Sequence, residues 1–425
     1  IGRRPEKRIL DGLLRSGFSE FLAIYGRRRV GKTHLIREYC EPRCGLFFSA
    51  TGQKDASTAI QLFHFKQELE RVFYDGKPLP DLESWESAFG LLCDAIDRYI
   101  EQYGNRTIVV FLDELPWLAT PRSRLLQALD HYWNTRMSRQ RQVRMIVCGS
   151  AASWILDNLI NAKGGLHNRI TRRIRLMPFT LSEAREFLAA RVASLNPGQV
   201  TELYLALGGI PYYLMQVGRG RSAAQNIGMI CFDRNGSLFD EFERLFASLF
   251  RSADVYEKII RAIASKGSGI DREELVRLTG IPSGGRLKKR LRELEEAGFI
   301  AAGTPYGYRA KNVSYRLIDE YVSFYLKWIE PAPARVFRAD SADYWIAKSR
   351  TPAYRAWAGH AFEGVCLKHA RQIREALGIQ SVAAETGSWR YVPEKGSSAE
   401  RGAQIDLLFD RDDGVITLCE AKYCA

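Results

Sequence analysis

The chain lacks any apolar run approaching the ~20 residues needed to span a bilayer, and nothing near Ile1 resembles a signal peptide. No membrane association is expected, and the expected location is the cytoplasm. Tracts of disordered low complexity are missing as well. The eight cysteines are scattered without metal-ligand spacing, Cys40/Cys44 and Cys419/Cys424 being isolated pairs, so no zinc site is expected. Cys148 and Cys419 sit in apolar runs and read as reduced core thiols. An initiator Met is absent, which points to residues preceding Ile1. Acidic residues are in short supply. Against 62 Lys and Arg stand 49 Asp and Glu, and the net charge of +13 calls for an acidic partner, nucleic acid before a membrane surface. A chain of 425 residues, 46% of them hydrophobic, should hold about three domains with real cores.

What the chain does have is a phosphate-binding loop. Gly26-Arg27-Arg28-Arg29-Val30-Gly31-Lys32-Thr33 fits GxxxxGK[ST] at every required position, after the apolar run Phe21–Tyr25 and before the helix-like stretch His34–Tyr39. In that strand–loop–helix setting the glycines let backbone amides turn toward a phosphate. Lys32 brings charge to the β/γ oxygens, and the Thr33 hydroxyl can ligate Mg²⁺. The nucleotide-binding set expected here runs from Gly26 through Thr33, with His34 next to it. A second apolar run, Thr107–Leu112, has the unbroken pattern of a strand buried on both faces of a parallel sheet and ends in Asp113-Glu114. Asp113 is expected to hold the metal shell and Glu114 to polarise a water aimed at the γ-phosphate. A third run, Val143–Cys148, ends at Gly149-Ser150, with Ser153 close behind. It places Ser150 beside the Asp113 strand end as a sensor of the γ-phosphate.

These features come in a telling order: Ile1-Gly2-Arg3 before a helix, the phosphate loop, the Asp-Glu strand, the Gly-Ser strand, Asn168-Arg169 leading to Leu176-Met177-Pro178-Phe179, then Gly208-Gly209-Ile210-Pro211. Over about the first 330 residues this resembles the AAA+/STAND-type ATPases of archaea and bacteria. The resemblance implies an α/β P-loop parallel-sheet core with a helical lid, binding ATP and Mg²⁺. It implies that Ile1, Gly2 and Arg3 lie by the adenine, approached by Gly209 and Pro211 of the lid. It also implies that Arg169, with Arg172 and Arg173 as rivals, reaches a neighbouring subunit's nucleotide, and hence a homo-oligomer. No arginine stands clearly at the lid-helix sensor position, Arg219 being the nearest, which favours a switch over a continuously cycling motor.

Past the core, Thr180-Leu181-Ser182-Glu183 reads as a capped helix start. The helix 253–265, a short one capped by Asp271 and stopped by Gly280, and a basic one from Arg286 follow in helix-turn-helix order. Residues 299–317, with Tyr308 and Arg309 at their middle, read as a two-stranded wing. Leu287, Leu291 and Leu294 face the core, leaving Arg286, Lys288, Lys289, Arg290 and Arg292 outward as a candidate DNA face. After an aromatic helix from Tyr321 to Trp328, Pro331-Ala332-Pro333-Ala334 reads as a linker.

The last segment carries a second signal. Gln404–Phe409 and Val415–Lys422 are apolar β-runs around the turn Asp413-Gly414. In a hairpin symmetric about residue 413, Asp406 faces Glu420, and Lys422 shares their face. This D…ExK arrangement, with Glu363 on the helix 361–367, resembles the PD-(D/E)XK nuclease superfamily over about residues 350–425. That resemblance implies Mg²⁺ on Glu363, Asp406 and Glu420, with Lys422 serving the attacking water. It also implies a helix and strand beyond the site, so the domain is expected to be incomplete at Ala425. The whole layout resembles a prokaryotic ATPase family. The expected division is a core over 1–179, a lid over 180–252, a winged helix over 253–330, a linker over 331–349 and a restriction-endonuclease-like α/β domain over 350–425. The expected function is ATP binding and hydrolysis with DNA binding and Mg²⁺-dependent DNA cleavage. The alternative is a non-cleaving, nucleotide-gated switch acting on DNA or a regulatory protein.

Overall fold

Three strands fix the architecture because every residue in them is buried: β1 (Glu20–Tyr25), β3 (Ile108–Asp113) and β4 (Val143–Gly149). A strand covered on both faces belongs inside a parallel sheet flanked by helices. In the computed structural model, which describes residues 1–161, 165–192, 195–250, 252–267, 269–304, 306–307, 313–333, 336, 342–391 and 402–423, they are the interior of a five-stranded sheet. Its order is β2-β3-β4-β1-β5, with β2 spanning Leu46–Thr51 and β5 Arg172–Arg175, and every pairing is parallel. The connecting helices are α1 (Arg4–Leu14), α2 (Lys32–Cys40), α3 (Thr58–Phe73), α4 (Trp85–Tyr103), α5 (Leu115–Leu118), α6 (Leu125–Thr135) and α7 (Ala152–Ile155). An aromatic cluster of Phe65, Trp85 and Phe89 packs edge-on and tilted beneath α3 and α4. Of the buried charges in the sheet, Glu20 and Arg144 are paired away from the strand ends that carry the site. Glu20 lies 2.9 Å from Arg172, and Arg144 donates to the Leu13 carbonyl at 2.6 Å.

This sheet and its helices form one compact unit, Arg3–Met177, and Ile1–Gly2 with Pro178–Ala425 form a second. The second unit opens with α8 (Leu181–Arg191), whose start is the capping box read from the sequence: Thr180 accepts from the Glu183 amide and Glu183 reaches back to the Thr180 amide. Next come α9 (Pro197–Leu207), α10 (Pro211–Leu214), α11 (Ala223–Ile227), α12 (Glu241–Leu249) and α13 (Ala253–Ala264). Strand β6 (Ile270–Asp271), α14 (Arg272–Thr279), α15 (Gly285–Glu296), β7 (Ile300–Gly303) and β8 (Ser314–Leu317) complete a small module with antiparallel order β6-β8-β7. As expected, Asp271 caps α14 and Gly280 ends it with φ +66°, a conformation glycine adopts without steric cost. Tyr308 and Arg309 lie outside the described residues.

The expected linker over 331–349 needs correction. After α16 (Glu320–Phe324) and one π-helical turn, residues Ala342–Ser349 form α17. Trp345 of this helix is fully buried, stacked on Phe232 with ring centroids 5.1 Å apart and set edge-on to Phe324, Trp328 and Tyr354. Burial of an indole outweighs the loop-like Pro-Ala composition upstream. The chain continues through α18 (Pro352–Lys368), α19 (Ala370–Ala376), β9 (Ala384–Tyr391), β10 (Ala403–Arg411) and β11 (Ile416–Cys419), with sheet order β11-β10-β9. Among the described residues, no helix is long and apolar enough to cross a membrane.

Candidate functional site

The carboxyl ends of β1, β3 and β4 bring the expected chemistry together. Gly26 leaves β1 with φ +144°, and a Cβ there would lie 2.3 Å from the Leu176 carbonyl oxygen, so only glycine passes. Gly31, at φ +89°, turns the loop into the start of α2. Lys32 is buried, and its ammonium donates to the Gly26 and Arg27 carbonyls at 3.0 and 2.9 Å and to Ser150 Oγ at 3.2 Å. Arg27 is buried, Arg28 exposed and Arg29 half-buried with φ +69°, while Val30 is buried and His34 exposed.

The acidic pair stands opposite. Thr33 Oγ1 donates to Asp113 Oδ2 at 2.8 Å, and the Glu114 amide donates to Asp113 Oδ1 at 3.0 Å. Burial raises the Asp113 pKa from its ordinary value, partly offset by the Thr33 hydrogen bond. Glu114 sits at φ +47°, a costly conformation for a residue with a Cβ and one that gathers at functional sites. Ser150 holds its carboxylate from both sides, the hydroxyl donating to Oε1 at 2.6 Å and the amide to Oε2 at 3.1 Å. Lys32, Thr33, Asp113, Glu114 and Ser150 thus form one hydrogen-bonded constellation. Burial also pushes the Cys148 thiol well up, which keeps it protonated beside Asp113.

Other expected residues lie elsewhere. Arg169 is exposed in the turn before β5, and Arg173 is exposed on it. Arg172 pairs with Glu20 at 2.9 Å and donates to the Gly12 carbonyl at 3.2 Å. Arg3 is buried and donates to the backbone carbonyls of Val30 and Met177. Ile1 and Gly2 belong to the second unit, as do Gly209 and Pro211. There Gly209 lies against Phe179, whose amide donates to the Gly209 carbonyl at 2.6 Å, and Pro211 is the first residue of α10. Arg219 donates to the Arg191 carbonyl at 2.6 Å, a local contact on the exposed side of the same unit.

On α15, Leu287, Leu291 and Leu294 are buried, while Arg286, Lys288, Lys289 and Arg292 are exposed and Arg290 is half-buried. In the last sheet the hairpin has the register read from the sequence, pairing Leu407 with Cys419 and Leu408 with Leu418. Asp406 sits where β10 carries one extra residue against β9, a bulge of the kind that re-aims side chains. The Gln404 side chain donates through Nε2 to Asp406 at 2.9 Å and to Glu363 at 3.3 Å, and the Ala421 backbone amide donates to Asp406 at 2.9 Å. Burial, then the Asp406 charge, raises the Glu363 pKa. Glu420 is not brought to these two. Pairing stops at Cys419, and the Glu420 carboxylate stands in solvent 3.3 Å from Lys422. Among the described residues no three acidic, histidine or cysteine side chains form a metal-holding group, so the expected trio of Glu363, Asp406 and Glu420 is not assembled. The sequence reading missed the role of Gln404, and it gave Leu176 and Met177 no part in the site: Leu176 meets Tyr25 and Gly26, and Met177 meets Arg3, through backbone atoms that leave no residue-type signal.

A phosphate loop, an Asp-Glu strand end and a serine on the next strand of a parallel sheet define a P-loop nucleoside triphosphatase. Residues 2–217 match the ATPase domain found predominantly in Archaea, and the chain belongs to that family. The uncharacterized protein MJECL04 of Methanocaldococcus jannaschii is 24% identical over 97% of this chain and 84% of its own length. The Walker-type ATPase PABY2304 of Pyrococcus abyssi aligns with a TM-score of 0.52 at 19% identity, over 77% of this chain and 95% of that one. The ORC2 protein of Aeropyrum pernix, solved in ADPNP–ADP complexes, aligns with a TM-score of 0.47 at 18% identity over 82% and 95%.

Proposed function

We propose that the chain hydrolyses ATP at the Lys32–Asp113–Glu114–Ser150 site and uses the cycle to control a grip on DNA through α15. The observation that carries the reading is the hydrogen-bonded set itself. A buried ammonium sits at the loop, with a hydroxyl–carboxylate pair beside it and a second carboxylate latched by a serine. Thr33 and Asp113 fit Mg²⁺, because they offer hard oxygen donors and because burial leaves Asp113 wanting a cation. When bound, Mg²⁺ neutralises charge on the phosphate oxygens. Lys32 then adds a positive charge at the β/γ oxygens, and Glu114, freed of one Ser150 bond, orients the attacking water. Exposed Arg169 fits a role toward a second copy's nucleotide.

For DNA, α13–α15 with β7 and β8 have the order of a winged helix, and the exposed cations of α15 suit phosphates. Replacing Arg286, Lys288, Lys289 and Arg292 by Gln should weaken duplex binding and cut the slope of log K against log salt by about 3–4, at roughly 0.9 for each phosphate left unneutralised. ATP turnover without DNA should stay unchanged. A full salt slope in the variant, read by fluorescence anisotropy, would remove α15 as the DNA face.

A second reading, Mg²⁺-dependent cleavage by the C-terminal domain, draws on Glu363 and Asp406 converging on Gln404. In it Asp406→Ala ends nicking of plasmid DNA in Mg²⁺ or Mn²⁺ and leaves ATP turnover intact. Equal nicking by wild type and variant removes Asp406 from the reaction, and none from wild type leaves the domain a non-cleaving module.

A further inference from the structure

We infer that Arg3 is a positioning residue for the phosphate loop, tying the Val30 carbonyl to the Met177 carbonyl rather than reading the adenine; this rests on the ATPase reading above. Arg3 is 6% exposed and stands at the position before α1 in the left-handed region, at φ +59° and ψ +32°. That backbone is unfavourable for any residue with a Cβ, so the side chain's contacts must hold it there. One terminal nitrogen donates to Met177 O at 2.6 Å and the other to Val30 O at 3.0 Å, across 174 and 27 residues of chain. Both terminal nitrogens thus bond to backbone carbonyls, and the one on Met177 also lies 3.9 Å from the Glu6 carboxylate. The fork of a guanidinium suits two acceptors at fixed separation, which a lysine's single ammonium does not.

Val30 immediately precedes Gly31 and Lys32, so fixing its carbonyl outward sets the direction of the peptide groups that face a phosphate. An independent contact ties the entry of the loop to the same place. Gly26 lies against the Leu176 carbonyl, and the Leu176 amide donates to Tyr25 at 2.7 Å. Entry and exit of the phosphate loop are thus both referenced to the dipeptide Leu176-Met177. The chain enters the ATPase unit at Arg3 and leaves it at Met177. The staple therefore joins the loop to both of these crossing points.

The test compares wild type, Arg3→Ala and Arg3→Lys in the full chain by calorimetry with ATP, GTP and inorganic tripolyphosphate, alongside steady-state turnover. A residue that shapes the loop affects ligands with and without a base alike. Arg3→Ala should weaken ATP and tripolyphosphate by the same factor, about tenfold. The ATP-over-GTP preference should stay constant, with KM rising more than kcat falls. Arg3→Lys, reaching one carbonyl, should recover part of the loss. Three results overturn the inference: tripolyphosphate binding unchanged while the preference for ATP collapses, which makes Arg3 a base contact; no change with any ligand; or equal loss in both variants with a large drop in nucleotide-free melting temperature, which makes Arg3 a folding residue. A wild type that binds neither ATP nor tripolyphosphate removes the ATPase reading, and the inference with it.

Discussion

Lys32→Ala is expected to raise the dissociation constant for ATP about a hundredfold or more. The ammonium is buried, and its three acceptors are the Gly26 and Arg27 carbonyls and Ser150 Oγ. A charge-assisted hydrogen bond is worth about 1.5–3 kcal/mol, and the lysine is expected to serve oxygens of two phosphates. The loop should survive the change in outline, because Gly26 stays wedged on Leu176 and the Arg3 contacts are untouched. What disappears is the charge. Calorimetry with ATP and with ADP separates the contributions, since ADP lacks the γ oxygens and should lose less. Near-wild-type ATP affinity in the variant, with an unchanged melting temperature, would place nucleotide binding elsewhere.

The parts of this molecule that sequence reveals are those where local chemistry and global packing agree. The strands β1, β3 and β4 announce themselves because both of their faces are buried, so they carry no polar alternation. Asp271, Gly280 and the Thr180–Glu183 box mark helix ends because capping is a matter of a few adjacent residues. The turn at Asp413-Gly414 sets the register of β10 and β11 for the same reason. Strand β9, Ala-Glu-Thr-Gly-Ser-Trp-Arg-Tyr, is an edge strand with no buried residue, so nothing in its pattern needs to be apolar. Helix α17 hides behind a Pro-Ala segment, because its stability comes from Trp345 entering an aromatic cluster built by distant residues.

The candidate sites divide along the same line. The phosphate loop and its Asp-Glu pair are legible because the chemistry demands particular residue types at particular strand ends. The hold of Ser150 on Glu114 spans 36 residues and depends on β3 and β4 being neighbours, which the order expected of this type of sheet supplied and periodicity alone could not. The C-terminal acids show the opposite case. Register arithmetic places Asp406 opposite Glu420, but the ladder ends one residue early and a backbone amide, Ala421, takes the place beside Asp406 that the pairing had assigned to a carboxylate.

Glu114→Gln should bind ATP within about threefold of wild type and hydrolyse it about 10²–10³ times more slowly, in the range of general-base contributions. The two halves of the expectation have separate causes. Binding persists because Lys32, Thr33 and Asp113 keep their contacts, none of which passes through the Glu114 side chain. The glutamine also fits the latch. Its carbonyl can accept from the Ser150 amide, and its NH₂ can donate to Ser150 Oγ, a hydroxyl with two lone pairs of which Lys32 uses one. What the amide cannot do is draw a proton from water, so the chemical step slows while the architecture stays. Ser150→Ala provides the complement. It removes the 2.6 Å bond to Oε1, leaves only the backbone amide on Oε2, and drops one of the three acceptors of Lys32. Its turnover should fall by a smaller factor than that of Glu114→Gln, and the double variant should be no slower than Glu114→Gln alone, because the serine acts through the carboxylate. Single-turnover hydrolysis of pre-bound ATP measures the chemical step directly. Equal rates in wild type and Glu114→Gln would remove Glu114 from the reaction, and multiplicative losses in the double variant would give Ser150 a contact with the nucleotide of its own.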